Sequence, residues 1–244
     1  MNRYFIYLSY KGTVYHGWQI QQNATSVQDT LQKSLSKILQ EKIEVVGAGR
    51  TDTGVHASYY VAHFESDVTR DVTSWDFVYH LNAVLPRDIA VQSIKLVDSY
   101  MHARFSAVER EYKYYISKVK NPFTIETTYQ YVASLDVDKM QEAAKILLKH
   151  SDFTSFAKLH ADTKTNICSV TFADFECKGD MIIFTIRADR FLRNMVRAIV
   201  GTLMDVGKGL RSVEDFDAII LAKDRCAASR SAHARALYLT DIKY

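Results

Sequence analysis

The order in which strand-like and helical patterns succeed one another constrains this chain more than any single motif does. Tyr4 to Tyr10 is aromatic and β-branched and reads as a strand. Lys11-Gly12-Thr13 turns it into an aromatic loop, Tyr15-His16-Gly17-Trp18-Gln19. Thr25 and Gln28 then have the spacing of a capping box, and Val27, Leu31, Leu35, Ile38 and Leu39 share one helical face. Ile43 to Val46 and Tyr59 to Phe64 read as strands. Ser74 opens a second helix with Phe77, Val78, Leu81 and Leu85 on its apolar side, and Pro86 stops it. Ile89 to Val97 gives a further strand, completing the order β-α-β-β-α-β.

The second half repeats that order. Tyr112 to Val119 is a strand followed by a loop at Pro122, and Asp136 or Asp138 opens a helix carrying Met140, Ala143, Ala144 and Leu147. Ile167 to Cys177 and Met181 to Arg187 form strands around a Lys178-Gly179-Asp180 turn. Phe191 to Val206 reads as a helix, Val213 to Lys223 as an additional one, and Ala236 to Tyr244 as a closing strand. Residues do not repeat between the halves; only the elements do. The expected fold is α+β, two tandem ferredoxin-like (βαββαβ) units over residues 1–100 and 101–244, with sheets meeting at a central cleft. The join is expected near residues 99–110.

The length of 244 residues permits a sizeable core, and two prolines with nine glycines leave no room for a low-complexity linker. A formal charge of +3 does not announce a nucleic-acid binder, so any basic surface has to be local. Three scattered cysteines, Cys168, Cys177 and Cys226, argue against a disulfide framework or a zinc site and for a reducing compartment. No run is long enough for a signal peptide or a membrane span, so a cytoplasmic protein without membrane contact or metal is expected.

Between the second and third strand-like runs lies Val45-Val46-Gly47-Ala48-Gly49-Arg50-Thr51-Asp52-Thr53-Gly54-Val55-His56-Ala57. It reads as a loop presenting Arg50 and Asp52 at its tip, with glycines that allow close approach of another chain. An isolated Asp-x-Gly is most often a surface turn in which the carboxylate bonds its own backbone. Gly47-Ala48-Gly49 is no dinucleotide fingerprint, because a strand and not a helix follows. Asp52-Thr53-Gly54 matches the aspartic-protease triplet, but only one copy is present and the helices do not suit that all-β architecture.

Two further stretches concentrate cations and aromatics. At 100° per residue, Arg190, Arg193 and Arg197 lie within about 60° of one another beside a buried face of Leu192, Met195, Val196, Ile199 and Leu203. Such a stripe is either a solvated face or a contact for phosphates or a buried carboxylate. Arg110-Glu111-Tyr112-Lys113-Tyr114-Tyr115 places Tyr112 and Tyr114 on one strand face, where they suit a core or a base stack. His102-Ala103-Arg104-Phe105-Ser106 adds a cation and an aromatic just upstream. A pair of RNA-binding modules without activity is a competing reading, although no strand carries the glycine- and aromatic-rich consensus of RNA-recognition motifs.

Gly47 to Ala57 resembles the signature of the tRNA pseudouridine synthase A family, Gly-Ala-Gly-Arg-Thr-Asp-Ala-Gly-Val-His-Ala, departing from it only at Thr53. The resemblance runs the length of the chain. It takes in Tyr10 to Thr13, Gly17-Trp18-Gln19, Leu81 to Pro86, His102 to Ala107 with Tyr112, Met195-Val196-Arg197 with Val200-Gly201, and more loosely Ala236 to Leu239, where the family commonly has glycine at Ala236. It implies a pseudouridine synthase fold and an isomerase acting on uridines 38, 39 and 40 in the anticodon stem-loop of tRNA. A homodimer without cofactor or metal is implied as well. By the family's pattern Asp52 is the catalytic carboxylate, Arg197 its cationic partner and Tyr112 the aromatic against the target base. Arg50 is expected to help hold the nucleotide out of the stack, with Arg104 and Arg193 as further expected substrate contacts. The chemistry suits these residue types. The N1–C1′ bond breaks, the uracil turns and C5 joins C1′, with no redox change and no water consumed. An aspartate can attack C1′, attack C6 or remove the C2′ proton, and each route needs it ionised in a dry pocket beside a permanent cation.

Overall fold

The computed structural model describes residues 1–159 and 164–244. The chain divides into two compact units, Met1–Val108 with Leu239–Tyr244, and Glu109–Tyr238.

In the first unit β1 (Asn2–Tyr10), α1 (Val27–Leu39), β2 (Val45–Gly47), β3 (His56–Ser66), α2 (Trp75–Val84) and β4 (Ile89–Val97) follow in the expected order. β1 is central, antiparallel to β4 on one side and β3 on the other, and β2 pairs with β3. Phe5 therefore stands opposite both His63 and Lys95, and Ile6 opposite Ala62 and Ile94. Tyr4, Ile6, Leu8 and Tyr10 are buried on one face of β1 and Phe5 on the other, where Tyr7 and Ser9 are only half-buried.

The cap of α1 corrects the sequence reading. Ser26, not Thr25, accepts the Asp29 N–H at 3.2 Å. Gln28 is drawn elsewhere: its side chain donates to the Val45 carbonyl at 2.6 Å and accepts from Ile20 N–H at 3.0 Å, tying the helix to β2 and to the aromatic loop. α2 begins as expected, with Ser74 accepting from Phe77 N–H at 3.3 Å, a cap worth about 1 kcal/mol. It ends at Leu85, whose extended backbone is what a following proline imposes. Asn82 of α2 mimics a strand neighbour, donating to Val91 O and accepting from Val91 N, each at 2.8 Å, so that α2 is locked to β4.

The second unit comprises β5 (Glu109–Ser117), β6 (Tyr129–Gln130), α3 (Val137–Ile146), β7 (Val170–Lys178), β8 (Met181–Ala188), α4 (Met195–Gly207) and α5 (Val213–Ala222). Its sheet runs β5-β8-β7 antiparallel, and the short β6, which no sequence pattern announced, lies parallel to β5. Tyr114 and Ile116 face Phe184 and Ile182 across the β5–β8 ladder and are fully buried. Asp136 caps α3, accepting from Lys139 N–H at 3.0 Å. α5 has a full capping box between Ser212 and Asp215.

α4 differs from its sequence reading at its start. The helix begins at Met195, because Asn194 takes a left-handed conformation (φ 65°) and breaks the backbone turn before it. Arg190 and Arg193 precede the helix, so the three-arginine helical stripe does not exist. Once formed, α4 is buried around nearly its whole circumference, from Met195 to Gly207. The last strand, β9 (Leu237–Lys243), follows Ala236. Sequence order made it the closing strand of the second half; its residues from Leu239 onward belong to the first unit, where β9 neighbours β3.

Candidate active site

Aromatic side chains of the first unit hold the loop between β2 and β3 at Gly47, Gly49 and Thr51. Trp18 stacks on Tyr60 with ring centroids 4.1 Å apart, and Tyr10 packs edge-on to Tyr60 at 5.6 Å. The Tyr60 hydroxyl donates to Gly49 O at 2.5 Å. A side chain at Gly47 would overlap both Trp18 and Tyr60, which is why this position has none. Tyr10 shares a hydrogen bond with the buried Thr51 hydroxyl at 2.9 Å, and Ala48 N–H reaches Val61 O at 2.9 Å.

From the other side the loop is strapped by the segment after β1. Gly12 N–H donates to His56 Nδ1 at 2.9 Å, which fixes that buried imidazole with its proton on Nε2. Gly54 N–H donates to Tyr15 O at 3.2 Å, and Val55 N–H closes a turn onto Asp52 O at 3.1 Å. Gly17, at φ 87°, passes so close to the Thr51 carbonyl that a Cβ would overlap it. Tyr15 is anchored in turn by a 2.7 Å bond from its hydroxyl to Asp88, and burial with that bond raises the phenol above its ordinary range. The result is a turn with Thr51, Val55 and His56 buried, Asp52 half-buried, and Arg50 and Thr53 exposed. The carboxylate is presented from a backbone that several unrelated contacts determine together.

In the second unit Arg197 sits in the first turn of α4, half-buried. Its Nε donates to Ala232 O at 2.8 Å, and its own carbonyl accepts from Ala232 N–H at 2.8 Å. That double tie is possible because Gly201, one turn on, lets the Arg230 carbonyl lie where a side chain would otherwise be. Asn194 Nδ2 and Arg225 both reach the Ser231 hydroxyl, at 2.6 and 3.1 Å, holding the same segment against the start of α4. The guanidinium is thus aimed by its backbone neighbours.

The two tyrosines that share a face of β5 separate in the structure. Tyr112 is half-buried with its ring edge-on to Phe191 at 5.1 Å. Tyr114 is fully buried, and the desolvation pushes its phenol up despite the nearby charges of Arg197 and Arg235. Arg193 is exposed, its carbonyl accepting from Lys158 N–H at 3.0 Å. Arg104 is exposed with its guanidinium 5.4 Å from the Phe105 ring centre. Cys168, Cys177 and Cys226 are free thiols.

The sequence profile of the tRNA pseudouridine synthases matches residues 6–106 and 143–244. The chain belongs to the tRNA pseudouridine synthase family. It is 53% identical over 248 residues to the tRNA pseudouridine synthase A of Bacteroides thetaiotaomicron, with 100% of this chain and 91% of that protein covered. The Bacteroides fragilis protein of the same name is 52% identical, covering 100% and 97%. That of Francisella tularensis subsp. novicida is 38% identical, covering 100% and 95%. A solved CRISPR-associated protein from Thermus thermophilus spans 82% of this chain and 90% of its own at 12% identity, with a TM-score of 0.22, too low to bear on the fold. As a pseudouridine synthase the chain is an isomerase that converts uridine to pseudouridine.

Two positions depart from the family's pattern, Thr53 within the signature and Ala236 outside it. Thr53 is exposed at the turn. Ala236 is fully buried in a short 3-10 turn, but its φ is not positive, so the backbone does not demand the family's glycine there. The residues that sequence reading missed are supporting ones: Tyr60, Asn194, Arg225 and Ala232. No local spacing records most of their contacts: Tyr60 reaches Gly49, Trp18 and Tyr10, Asn194 reaches Ser231 and Ala232 reaches Arg197, while Arg225 holds the nearby Ser231 segment.

Proposed function

We propose that this chain isomerises uridine to pseudouridine at positions 38, 39 and 40 in the anticodon stem-loop of tRNA, with Asp52 as the catalytic carboxylate. The observation that carries the reading is the loop from Gly47 to Ala57, which matches the synthase signature at all but Thr53 and keeps Asp52 half-buried on a fixed backbone. A nucleophile or base at this reaction must meet the ribose or the uracil ring at near-contact distance, so a carboxylate on a determined turn suits it better than one on a loose loop.

The remaining roles follow from residue chemistry. Arg197 supplies a permanent cation, aimed by Ala232, that favours the ionised carboxylate. Tyr112, half-buried with one edge on Phe191, supplies the aromatic surface for the target base. Arg50, Arg104 and Arg193 are exposed cations suited to the phosphates of an extruded nucleotide. The active form is a homodimer, as in the family the chain resembles, and the reaction draws on no cofactor. tRNA as the substrate is supported by the names of relatives that match the chain from end to end.

Replacing Asp52 by Asn keeps the shape of the turn and removes the charge. Pseudouridine formation at positions 38–40 of an unmodified tRNA transcript should then fall by on the order of a thousandfold or more, with tRNA affinity changed little. Turnover close to that of the unaltered protein would remove Asp52 from the reaction.

A further inference from the structure

The turn from Met101 to Ser106 belongs to neither helix nor strand, yet each of its backbone amides from His102 to Ser106 is satisfied. His102 N–H donates to the Ser106 hydroxyl at 2.9 Å, and Ser106 N–H returns to His102 O at 2.9 Å. The three amides between them go to imidazoles. Ala103 N–H donates to His63 Nδ1 at 3.1 Å, and Arg104 and Phe105 N–H converge on His102 Nδ1 at 3.1 and 3.2 Å. The two rings meet edge to face at 4.6 Å. The turn is also fastened from outside. Arg3 Nη1 donates to Met101 O at 2.9 Å and the Tyr244 hydroxyl to Ala103 O at 2.7 Å.

All this organisation presents two exposed side chains. Phe105 leans on the His102 ring at 4.4 Å while 75% of its surface faces solvent, and the Arg104 guanidinium lies over it. A lone exposed phenylalanine needs no explanation. One held at the tip of a turn whose amides are bonded to two imidazoles, with a guanidinium against it, matches how single-stranded RNA is gripped: an aromatic plane for a base and a cation for its phosphate. We infer that Phe105 with Arg104 is a stacking platform for an unpaired nucleobase of the RNA substrate, and that His102 and His63 are the positioning residues that hold it outward. The inference rests on the proposed RNA substrate and adds to it a residue that stacks on an unpaired base.

The test is direct binding of an unmodified tRNA transcript alongside steady-state pseudouridine formation. Phe105→Leu should weaken binding by about 5- to 100-fold and raise KM in step, with kcat within about twofold, whereas Phe105→Tyr keeps the plane and binds as the unaltered chain does. His102→Leu should reproduce the Phe105→Leu loss. His102→Asn, whose carboxamide oxygen can take the place of Nδ1 as acceptor, should recover most of it; a merely space-filling His102 would not distinguish the two. Unchanged tRNA binding in Phe105→Leu overturns the platform, and equal losses in His102→Leu and His102→Asn overturn the positioning role. An unaltered chain that binds tRNA but forms no pseudouridine refutes the proposed activity, and the binding comparison still decides the platform.

Discussion

His63 has to stay neutral to do what it does, because Nδ1 accepts the Ala103 amide and cannot carry a proton as well. Burial lowers its pKa to about 4, helped by the positive charges of His102 and Arg3 and opposed by Glu65. His102 is lowered too, by its own burial and by Arg3 and Arg104. For a histidine lowered on folding, the unfolded chain takes up the proton first. Stability is therefore complete above the unfolded value near 6.5, declines as pH falls towards 4, and changes no further from this group below that. The His63 contribution lost over that window is on the order of 3 kcal/mol. Urea unfolding at pH 7 and pH 4.5, compared with His63→Asn, isolates it from the carboxylates that titrate in the same direction. The difference between the two proteins should appear between those pH values, and an equal acid loss in both would assign the effect to other groups.

At the scale of elements, α4 shows what a small residue inside a helix can do. Gly201 costs about 1 kcal/mol of helix propensity relative to alanine, and an exposed helix would gain by Gly→Ala. Here the added methyl would overlap the Arg230 carbonyl and push away the segment whose Ala232 fixes Arg197. Gly201→Ala should therefore lower stability by about 1–3 kcal/mol in thermal unfolding and slow pseudouridine formation; a stabilised, fully active variant would show that the segment is free to move. The same helix marks the limit of reading elements from pattern. Periodicity found α1 to α5 and the long strands because most of them bury a regular face, as Val27, Leu31, Leu35 and Leu39 do in α1. It placed the start of α4 too early, because Asn194 takes its left-handed conformation in company with Ser231, far along the chain. It chose Thr25 over Ser26 because the pull of Val45 on Gln28 is a tertiary contact. The signature loop was legible from its residues alone, whereas the aromatic clamp of Tyr10, Trp18 and Tyr60 around it was not, since those three come from separate stretches.

At the scale of the molecule, neither order nor composition revealed that the first unit is discontinuous, since the β-α-β-β-α-β order places the last strand with the second half. The segment Leu239–Tyr244 completes the first unit: Val108 N–H bonds Lys243 O at 2.8 Å, and the Tyr244 ring packs on Phe5 at 5.0 Å. A chain cut after Tyr238 should show amide exchange in β1 and β3 accelerated by about tenfold or more, with the amides of α4 still protected. Uniform loosening of both units would instead mean that they unfold as one. The same discontinuity sets a schedule for biogenesis. Everything from Glu109 to Tyr238 must leave the ribosome before the partner for the flank of β3 exists, an interval on the order of ten seconds at usual elongation rates. During that wait the nascent polypeptide carries an unpaired strand flank beside apolar surface, which makes it a natural client for a holding chaperone.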